Sequence, residues 1–586
     1  MNESFKNSLR HWAIKNQITH VATNELLNIL KDHECFDLPA DARSLLKTPA
    51  NVICRVVEPG HYSHIGLEKN LREILKFVSE NDNEILLLIS IDGLPLFKSS
   101  TMEFWPILGS VYNVPAIKSV VFPIGVYCGP KKPISCTSFM EEFISEVAKL
   151  INSGLTINGK NIKVAIKGFV CDTPAKSFLL GVKGHTGYYS CTKCRQPGVY
   201  LENRMTFPEC DATLRTHEEF LKMDDEDFHR TQTPLISVPG INFIKSFPLD
   251  YMHLVCLGVV RSLIYIWMFG PVPIKLPRQI LNNISADLVA LAKHMPLEFN
   301  RKPRSLDDVK RWKATEFRHF LLYTGPLVLS KLKSEYLSYY NNFISLTVSM
   351  SILLNPEYCF KYNEYARNLL KHFVKTFINL YGAQMATYNL HGLVHLSDDV
   401  YEFGALDSCA AFPFENFLQV FKKNIRKGAK PLQQIIKRFG EMSNSNFWTK
   451  NILPCGSIYP IFLKPHSSGL LLPGCDKLQQ FSSIKFQSFV IKTAHPDSYC
   501  VLKHGNIVAV CNIVFSNNVQ SMVILCKEFA TKENFFGTPL IESSSIGINI
   551  VKEKMSLCEK PVSDIVGKVV LLPFHDHHVA IKMLHS

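Results

Sequence analysis

The segment Glu84–Gly93 reads Glu-Ile-Leu-Leu-Leu-Ile-Ser-Ile-Asp-Gly, an almost unbroken apolar run that stops at Asp92. A short run of this kind, without polar alternation, is typical of a strand buried on both faces of a sheet. The sequence therefore predicts a central strand with an acidic residue, Asp92, at its carboxyl end.

The residues that follow alternate between strand and helix patterns. Further strands are predicted at 120–127 and 162–170, and helices at 139–151 and 175–180. This alternation indicates an α/β layer. The strand at 162–170 is also followed by an acid, Asp172. Because ligands of open α/β sheets bind beside strand ends, Asp92 and Asp172 are candidate oxygen ligands of Mg²⁺.

The rest of the chain divides by pattern into regions of different character. We predict a helical N-terminal region at 1–84, the first part of an α/β core at 85–194, a large helical insertion at 195–400, the C-terminal part of the core at 401–450 and a β-rich domain at 455–586. The last region is marked by short β-branched runs separated by turn residues.

Composition excludes some classes of protein. The 586 residues are 46% hydrophobic and 20% charged, which rules out wholesale disorder. The formal net charge of +13 favours a polyanionic partner, with nucleic acid first and an anionic membrane surface second.

The cysteine count and the most apolar stretch give two further expectations. Seventeen cysteines are an odd number without the density of a disulfide scaffold, which favours a reducing compartment. Residues 249–272 are apolar but include Asp250, His253 and Arg261, so no membrane-spanning helix is expected.

A third acid follows in Phe412–Leu418, where Pro413 can start a helix that carries Glu415 between aromatic neighbours. Glu316 is the competing glutamate. A basic stretch without acids comes next and includes Lys422, Lys423, Arg426, Lys427, Lys430, Lys437 and Arg438. It is either a phosphate-binding stripe or a solvated basic face.

Cys191 and Cys194 have the two-residue spacing of a zinc knuckle, which supplies half of a tetrahedral site. The spacing leaves two completions open: the local pair Cys210 and His217, slightly favoured by proximity, or the pair His391 and His395 on one helix face. Asp250 and His253 form another polar pair within an apolar segment, and we expect them to bond to each other, to backbone or to a metal.

Five segments in this order resemble those of a known family. They are Ser90–Pro95, Phe169–Asp172, Gly184–Cys194, Leu249–His253 and Phe412–Glu415. Together, from about residue 85 to 440, they resemble the DDE transposases of CACTA (En/Spm) elements and their animal relatives. The layout is also similar to that of the V(D)J recombinase core and its Transib relatives.

The resemblance implies an RNase H-like core with a zinc-stabilised helical insertion between the second aspartate and the glutamate. Asp92, Asp172 and Glu415 would hold two Mg²⁺ or Mn²⁺ ions for DNA cleavage and strand transfer. It also moves the zinc prediction to Cys191, Cys194, His391 and His395.

The same resemblance implies DNA as the partner, contacted by Lys422, Lys423, Arg426, Lys427 and Lys430, a nuclear location, no membrane association and a homodimer that pairs two DNA ends. Residues 1–84 contain no paired Cys/His finger, so site-specific recognition is expected from a separate domain or protein. The alternatives are a catalytically silent, domesticated transposase that binds DNA or chromatin, and a zinc-stabilised scaffold without a nucleic-acid role.

Overall fold

We describe the protein from a computed structural model of the whole chain. The description covers residues 3–33, 37–77, 83–97, 100–445, 447, 459–537 and 540–584. The chain forms two compact units, each built from separate stretches of sequence. Unit 1 comprises 1–198, 212–250 and 408–457, and unit 2 comprises 199–211, 251–407 and 458–586.

Unit 1 combines helices with a mixed sheet. Its helices are α1 (Glu3–Lys15), α2 (His20–Asp32), α3 (Ala42–Leu46), α4 (Leu67–Ile74), α5 (Cys136–Ser153), α6 (Thr173–Leu180), α7 (His217–Lys222), α16 (Phe412–Asn424) and α17 (Pro431–Asn444). Its strands are β1 (Arg55–Val57), β2 (Gly60–His64), β3 (Glu84–Ile91), β4 (Leu94–Pro95), β5 (Glu103–Val111), β6 (Val121–Gly129), β7 (Leu155–Ile157) and β8 (Lys160–Val170).

The strands of unit 1 form one sheet in the order β1-β2-β6-β5-β3-β8-β7, with β4 beside β5. The central strand β3 pairs antiparallel with β5 and parallel with β8, and the chain passes from β6 to β8 through α5 and β7. The prediction of a buried central strand at Glu84–Ile91 is confirmed, since residues 87–91 are all buried.

The helix α5 shows how sequence spacing builds this layer. Phe139, Phe143, Val147 and Leu150 recur every three or four residues and are buried against the sheet. The Ser135 side chain caps the first turn by accepting from the Ser138 N–H.

Residues 1–84 are not purely helical. The strands β1 and β2 form a hairpin there, and β2 adds to the sheet beside β6. The turn requires Gly60, because a Cβ at this position would lie 2.1 Å from the Cys128 carbonyl oxygen. Such short strands carry too few residues for a recognisable period.

Unit 2 contains a helical part and a β-rich part. Its helices are α8 (Arg261–Phe269), α9 (Arg278–Leu291), α10 (Ala314–His319), α11 (Gly325–Leu329), α12 (Leu337–Leu353), α13 (Asn363–Tyr381), α14 (Tyr388–Gly392) and α15 (Leu396–Phe403), with π-helical segments at Met252–Val260 and Phe320–Thr324. Its strands are β9 (Val199–Leu201), β10 (Arg204–Thr206), β11 (Ile461–His466), β12 (Cys475–Lys485), β13 (Val490–Lys492), β14 (Tyr499–Leu502), β15 (Ile507–Ser516), β16 (Ser521–Asn534), β17 (Ile548–Pro561), β18 (Ile565–Phe574) and β19 (His577–Lys582).

Short 3₁₀ helices complete the secondary structure. They are Leu75–Phe77, Pro234–Ser237, Ala292–His294, Leu306–Arg311, Ser334–Tyr336, Ala383–Met385, Leu393–His395, Leu406–Cys409, Ser543–Ile546 and Val562–Asp564. The predicted helical region is present from residue 251 onward, whereas 195–250 holds only α7, one 3₁₀ turn and the β9–β10 hairpin. Prolines at 197, 208, 234, 239 and 248 break helical continuity in that stretch.

The predicted C-terminal β-rich region is confirmed, and its strands close on themselves. Antiparallel pairing runs β15-β14-β18-β19-β17-β16 and returns to β15, which makes a six-stranded barrel with β11, β12 and β13 attached beside it. Closure leaves no free edge among the six strands. A cavity of about 770 Å³ is lined by residues of this region, among them Lys503, Lys532 and Lys582.

Within unit 2 a buried lysine joins the helical part to the barrel. The Lys568 side chain is fully buried, and its Nζ donates to Glu298 Oε2 at 2.7 Å and to Asp497 Oδ1 and the Val490 carbonyl at 2.6 Å. Burial raises the pKa of Asp497, but the hydrogen bonds and charge of Lys568 more than offset it, so the net pKa lies below its ordinary value.

We expect Lys568→Met to destabilise unit 2 by about 3–5 kcal/mol, because it removes the buried ammonium between the Glu298 and Asp497 carboxylates and leaves Asp497 with its weaker, more exposed partner Lys492. Thermal unfolding of the full chain measures this. The matched change Lys552→Met, which removes a half-exposed pair with Glu533, should cost under about 1 kcal/mol. Since the Asp497 pKa is depressed when folded, the contribution should be lost as pH falls below about 4. Equal losses in the two variants would contradict the assignment.

The helical stretch Met252–Phe269 is the most apolar part of unit 2. By length and composition alone it could cross a membrane, and 61% of it is buried inside the protein. A buried core helix meets the same two conditions.

Candidate metal centres

The two strand-end aspartates lie side by side in unit 1. Asp92 follows β3 directly, and Asp172 follows the end of β8. Ser90 pairs with Val170 in the parallel register, so two residues further on Asp92 is level with Asp172. Because neighbouring strands lie about 4.8 Å apart, the fold brings both carboxylates to one sheet edge, as the strand patterns predicted.

The third predicted acid is carried to the same edge. Pro413 lies in the first turn of α16, as predicted, and Glu415 is in that turn. Oxygens of Asp92 and Glu415 lie within 4.8 Å of one another. Both side chains are half-buried. Two carboxylates at this separation can hold a hard divalent cation between them.

Asp172 takes a different position from the other two acids. Its Oδ1 accepts from the Ala175 N–H at 2.8 Å and so caps the helix α6. Asp92 and Glu415 belong to a set of possible metal ligands whose ligand atoms all lie within 4.8 Å of one another. Among the described residues, Asp172 is not part of that set. The geometry therefore brings together one close pair, Asp92 and Glu415, with Asp172 on the adjacent strand end.

The thiol of Cys171 reports on the charge at this edge. Burial raises its pKa first, and the negative charges of Asp172 and Asp92 raise it further, whereas the Lys176 ammonium lowers it. The charges of Asp92, Asp172 and Lys176 therefore all act on the buried Cys171 sulfur. Lys176 was not predicted from sequence, because a lysine on a helix is usually solvated.

The competing glutamate is occupied elsewhere. Glu316 is buried in unit 2, where Arg304 Nε donates to it at 2.7 Å and the Lys313 N–H at 2.8 Å. It therefore forms an ion pair with Arg304 and caps the start of α10.

The predicted polar pair Asp250 and His253 is divided between the two units. His253 is half-buried in the π-helical segment Met252–Val260 of unit 2. Asp250 is buried in unit 1, where it accepts from the Ala411 N–H at 2.8 Å.

The predicted pair Cys191 and Cys194 is held in place by hydrogen bonds within unit 1. Cys191 and Cys194 are buried with their sulfurs within 4.8 Å of one another. Arg215 Nε donates to the carbonyls of both residues at 3.0 Å, and its Nη1 pairs with Asp225 at 2.7 Å. A hydrogen bond with Cys191, together with burial, raises the pKa of the Cys194 thiol. Sequence analysis missed Arg215, because its partners are backbone carbonyls.

The predicted histidine pair is also buried, in unit 2. The Nε2 atoms of His391 and His395 face one another at 3.4 Å. His391 Nδ1 lies 3.2 Å from the Glu209 carbonyl. Because a carbonyl oxygen only accepts, Nδ1 carries the proton and Nε2 is left with a lone pair, the arrangement that metal-ligating histidines use.

The four predicted ligands share the chemistry that a metal centre requires. Cys191 and Cys194 are buried in unit 1, His391 and His395 are buried in unit 2, and all four are residue types that bind a metal ion. The local alternative has no such support, since neither Cys210 nor His217 belongs to a potential metal group among the described residues. His217 Nδ1 accepts from the Phe243 N–H at 3.3 Å, and its ring stacks on Phe243.

Four lysines of the basic stretch are exposed, whereas Arg426 is bonded within unit 1. Lys422, Lys423, Lys427 and Lys430 are exposed around the end of α16. Arg426 instead donates to the carbonyls of Gln17 and Ile18 at 2.8 and 3.2 Å. Four predicted phosphate contacts are therefore available, whereas Arg426 holds the N-terminal helices.

Comparison with known proteins covers the C-terminal part of the chain. Residues 465–583 match the model of a domain of unknown function, DUF8592, and this match spans the barrel. A search of the curated proteins finds no match.

Proposed function

We propose that this protein is a DDE-type transposase, or a protein descended from one, that cleaves and joins DNA with divalent metal ions. The observation that carries the proposal is the close pair Asp92 and Glu415, from distant parts of the sequence, beside the strand end that carries Asp172. Asp92 and Asp172 end neighbouring parallel strands, and the Glu415 carboxylate lies within 4.8 Å of Asp92.

The sheet order supports an RNase H-like core. The strand β3, which carries the first acid, is central; antiparallel strands β5 and β6 follow on one side, and β8, which carries the second acid, lies parallel on the other. The third acid comes from a helix that follows the helical region in sequence. This is the layout that the resemblance to CACTA transposases implies.

The donor set suits Mg²⁺ or Mn²⁺, since all three acids offer carboxylate oxygens. Bound divalent ions would supply activation of a hydroxyl nucleophile and stabilisation of the leaving oxygen. The protein's part is to fix the oxygens: the Gly93 N–H holds Asp92 Oδ1 at 2.7 Å, and the Ala175 N–H holds Asp172 Oδ1.

We propose that Cys191, Cys194, His391 and His395 bind one structural zinc. Two thiolates and two imidazoles form a common tetrahedral zinc set. The Arg215 bonds that shape the knuckle and the Glu209 bond that orients His391 support this role. Neither the thiol pair nor the imidazole pair alone supplies the four ligands that a structural zinc requires.

DNA is the proposed partner, which places the activity in the nucleus, and the joining of two ends favours a homodimer. The exposed lysines 422, 423, 427 and 430 follow Glu415 within and after the same helix, so they would contact phosphates beside the acids.

We expect the triple change Lys422→Ala, Lys423→Ala and Lys427→Ala to weaken DNA binding and to flatten its salt dependence. Each lost phosphate contact removes about 0.9 from the slope of log K against log salt, so the slope should fall by up to about three. Titrations at several salt concentrations measure this. The matched pair Lys149→Ala and Lys163→Ala, exposed lysines elsewhere in unit 1, should change the slope little. An unchanged slope in the triple variant would remove this stretch from the interface.

The proposed function is tested by searching the DNA on both sides of the gene for terminal inverted repeats and assaying metal-dependent nicking and strand transfer on any that are found. Activity that requires Mg²⁺ or Mn²⁺ and disappears when a chelator removes the divalent cations would support the proposed function. DNA binding with a steep salt slope but no cleavage would favour the second candidate, a silent DNA- or chromatin-binding descendant, which the exposed lysines also support.

A further inference from the structure

One segment of unit 1, Ser246–Asp250, runs along the end of the strand that carries the second acid. The Phe169 N–H, on β8, donates to the Ser246 carbonyl at 2.8 Å. The rings of Phe169 and Phe247 stack at 4.8 Å with 8° between their planes. The segment is therefore fixed to β8 by both backbone and side chain.

A buried lysine holds the next residue of this segment. Lys176 lies on α6, one turn after Asp172, and is 2% exposed. Its Nζ donates to the Pro248 carbonyl at 2.6 Å. Since Asp172 caps the same helix, the second acid and the segment are tied to one rigid element.

The far end of the segment holds the helix of the third acid. Asp250 Oδ1 accepts from the Ala411 N–H at 2.8 Å, across 161 residues of sequence, and Asp250 is 4% exposed. Ala411 immediately precedes α16, whose own N-cap side chain makes no capping bond. A carboxylate here accepts from an N–H that has no partner within the helix. Its negative charge is stabilised by the positive end of the helix dipole.

We propose that Asp250 is a positioning residue that sets Glu415 against Asp92, through the segment Ser246–Asp250. The chain leaves unit 1 after Asp250 and returns at Ser408, so the bond to Ala411 joins the two points of exit and return. Glu415 is thereby held relative to β3 and β8 by unit 1 itself. This inference rests on the proposed function of the three acids.

The test is Mn²⁺ binding to the full chain without DNA, in variants at position 250. Asp250→Ala should weaken Mn²⁺ binding about 10- to 100-fold, the usual cost of losing a group that orients a metal ligand. Asp250→Asn keeps an oxygen that accepts the Ala411 N–H, so it should restore affinity to within a few-fold of the wild type. Unfolding temperatures of the same variants separate a loss of Mn²⁺ affinity from a loss of stability.

The matched control is Asp41→Ala. Asp41 caps α3 by accepting from the Arg43 and Ser44 N–H groups, so it performs the same chemistry away from the acids. Its loss should leave Mn²⁺ affinity unchanged. If Asp250→Ala binds Mn²⁺ like the wild type, or if Asp41→Ala weakens binding equally, the inference is overturned.

A second variant removes the donor of the Ala411–Asp250 hydrogen bond. It keeps the inference testable if Asp250→Ala folds poorly. Ala411 has φ −73°, which proline accepts, so Ala411→Pro removes the N–H without altering this angle. It should weaken Mn²⁺ binding to a similar degree. The double variant should lose no more than either single one, because both remove one bond; additive losses would overturn the inference.

The outcomes separate this inference from the proposed function. Wild-type protein that binds Mn²⁺ through Glu415 but does not cleave DNA would refute the function and leave the positioning role standing. Wild-type cleavage with a normal Asp250→Ala variant would refute positioning alone. Wild-type protein that binds no Mn²⁺ would refute both.

Discussion

Glu415→Gln should reduce Mg²⁺- or Mn²⁺-dependent nicking and strand transfer by at least about a hundredfold, the scale on which single electrostatic contacts to a transition state act. The amide keeps the size of the side chain but removes the charge that, beside Asp92, would hold a cation. DNA affinity should stay nearly constant, because the lost group faces the metal rather than phosphate. Cleavage of a labelled terminal-repeat duplex and a parallel binding titration measure the two effects.

The control for this change is Glu141→Gln, on the helix α5 of the same unit. The Glu141 side chain is 69% exposed and forms a long ion pair of 3.7 Å with Arg55. It should cleave like the wild type. Retained cleavage in Glu415→Gln would remove Glu415 from the metal site, and a parallel loss of DNA binding would point to a disrupted fold.

If the proposed zinc is bound, Cys191→Ser should abolish its binding and strongly destabilise the region around Cys191 and Cys194. Structural zinc contributes roughly 10 kcal/mol of apparent binding energy in small domains, which is comparable with the whole stability of a protein. Zinc content by mass spectrometry should fall by one equivalent per chain, and the unfolding temperature should drop. Because zinc binds the thiolate form of cysteine, protons compete with zinc, so retention should weaken as pH falls.

Two further cysteine variants sharpen this prediction. Cys136→Ser changes a partly buried thiol of unit 1 outside the knuckle and should keep its zinc. Cys210→Ser tests the local alternative and should also keep it. Zinc lost in Cys210→Ser but retained in an His391→Ala variant would favour the Cys210/His217 set, and unchanged zinc in Cys191→Ser would reject the knuckle as a ligand.

Local signals in the sequence predicted the elements that carry the acids. The apolar run at β3, the run before Asp172 and Pro413 at the start of α16 each depend on neighbouring residues, and all three are confirmed. The mixed α/β layer, the helical region and the β-rich C-terminal region are confirmed for the same reason. Strands as short as β1 and β10 were missed because three residues do not establish a period.

Sequence could not predict the partners of the polar residues. Asp250 was expected to bond to His253, to backbone or to a metal, and only the fold brings it to the Ala411 N–H. Arg215 and Glu209 act through backbone carbonyls, and a carbonyl is the same in every residue. Arg426 was expected to contact DNA, yet it bonds to carbonyls of the N-terminal region.

The sequence by itself determined where strands and helices end and which acids, thiols and imidazoles stand there, because periodicity and helix starts are set by a few adjacent residues. Only the tertiary structure decided that Glu415 meets Asp92, that Asp250 ties α16 to β8, and that six strands close into a barrel. These pairings join residues far apart in the chain. Long-range packing and hydrogen bonding select them, and a local pattern contains no record of which distant backbone group will lie opposite.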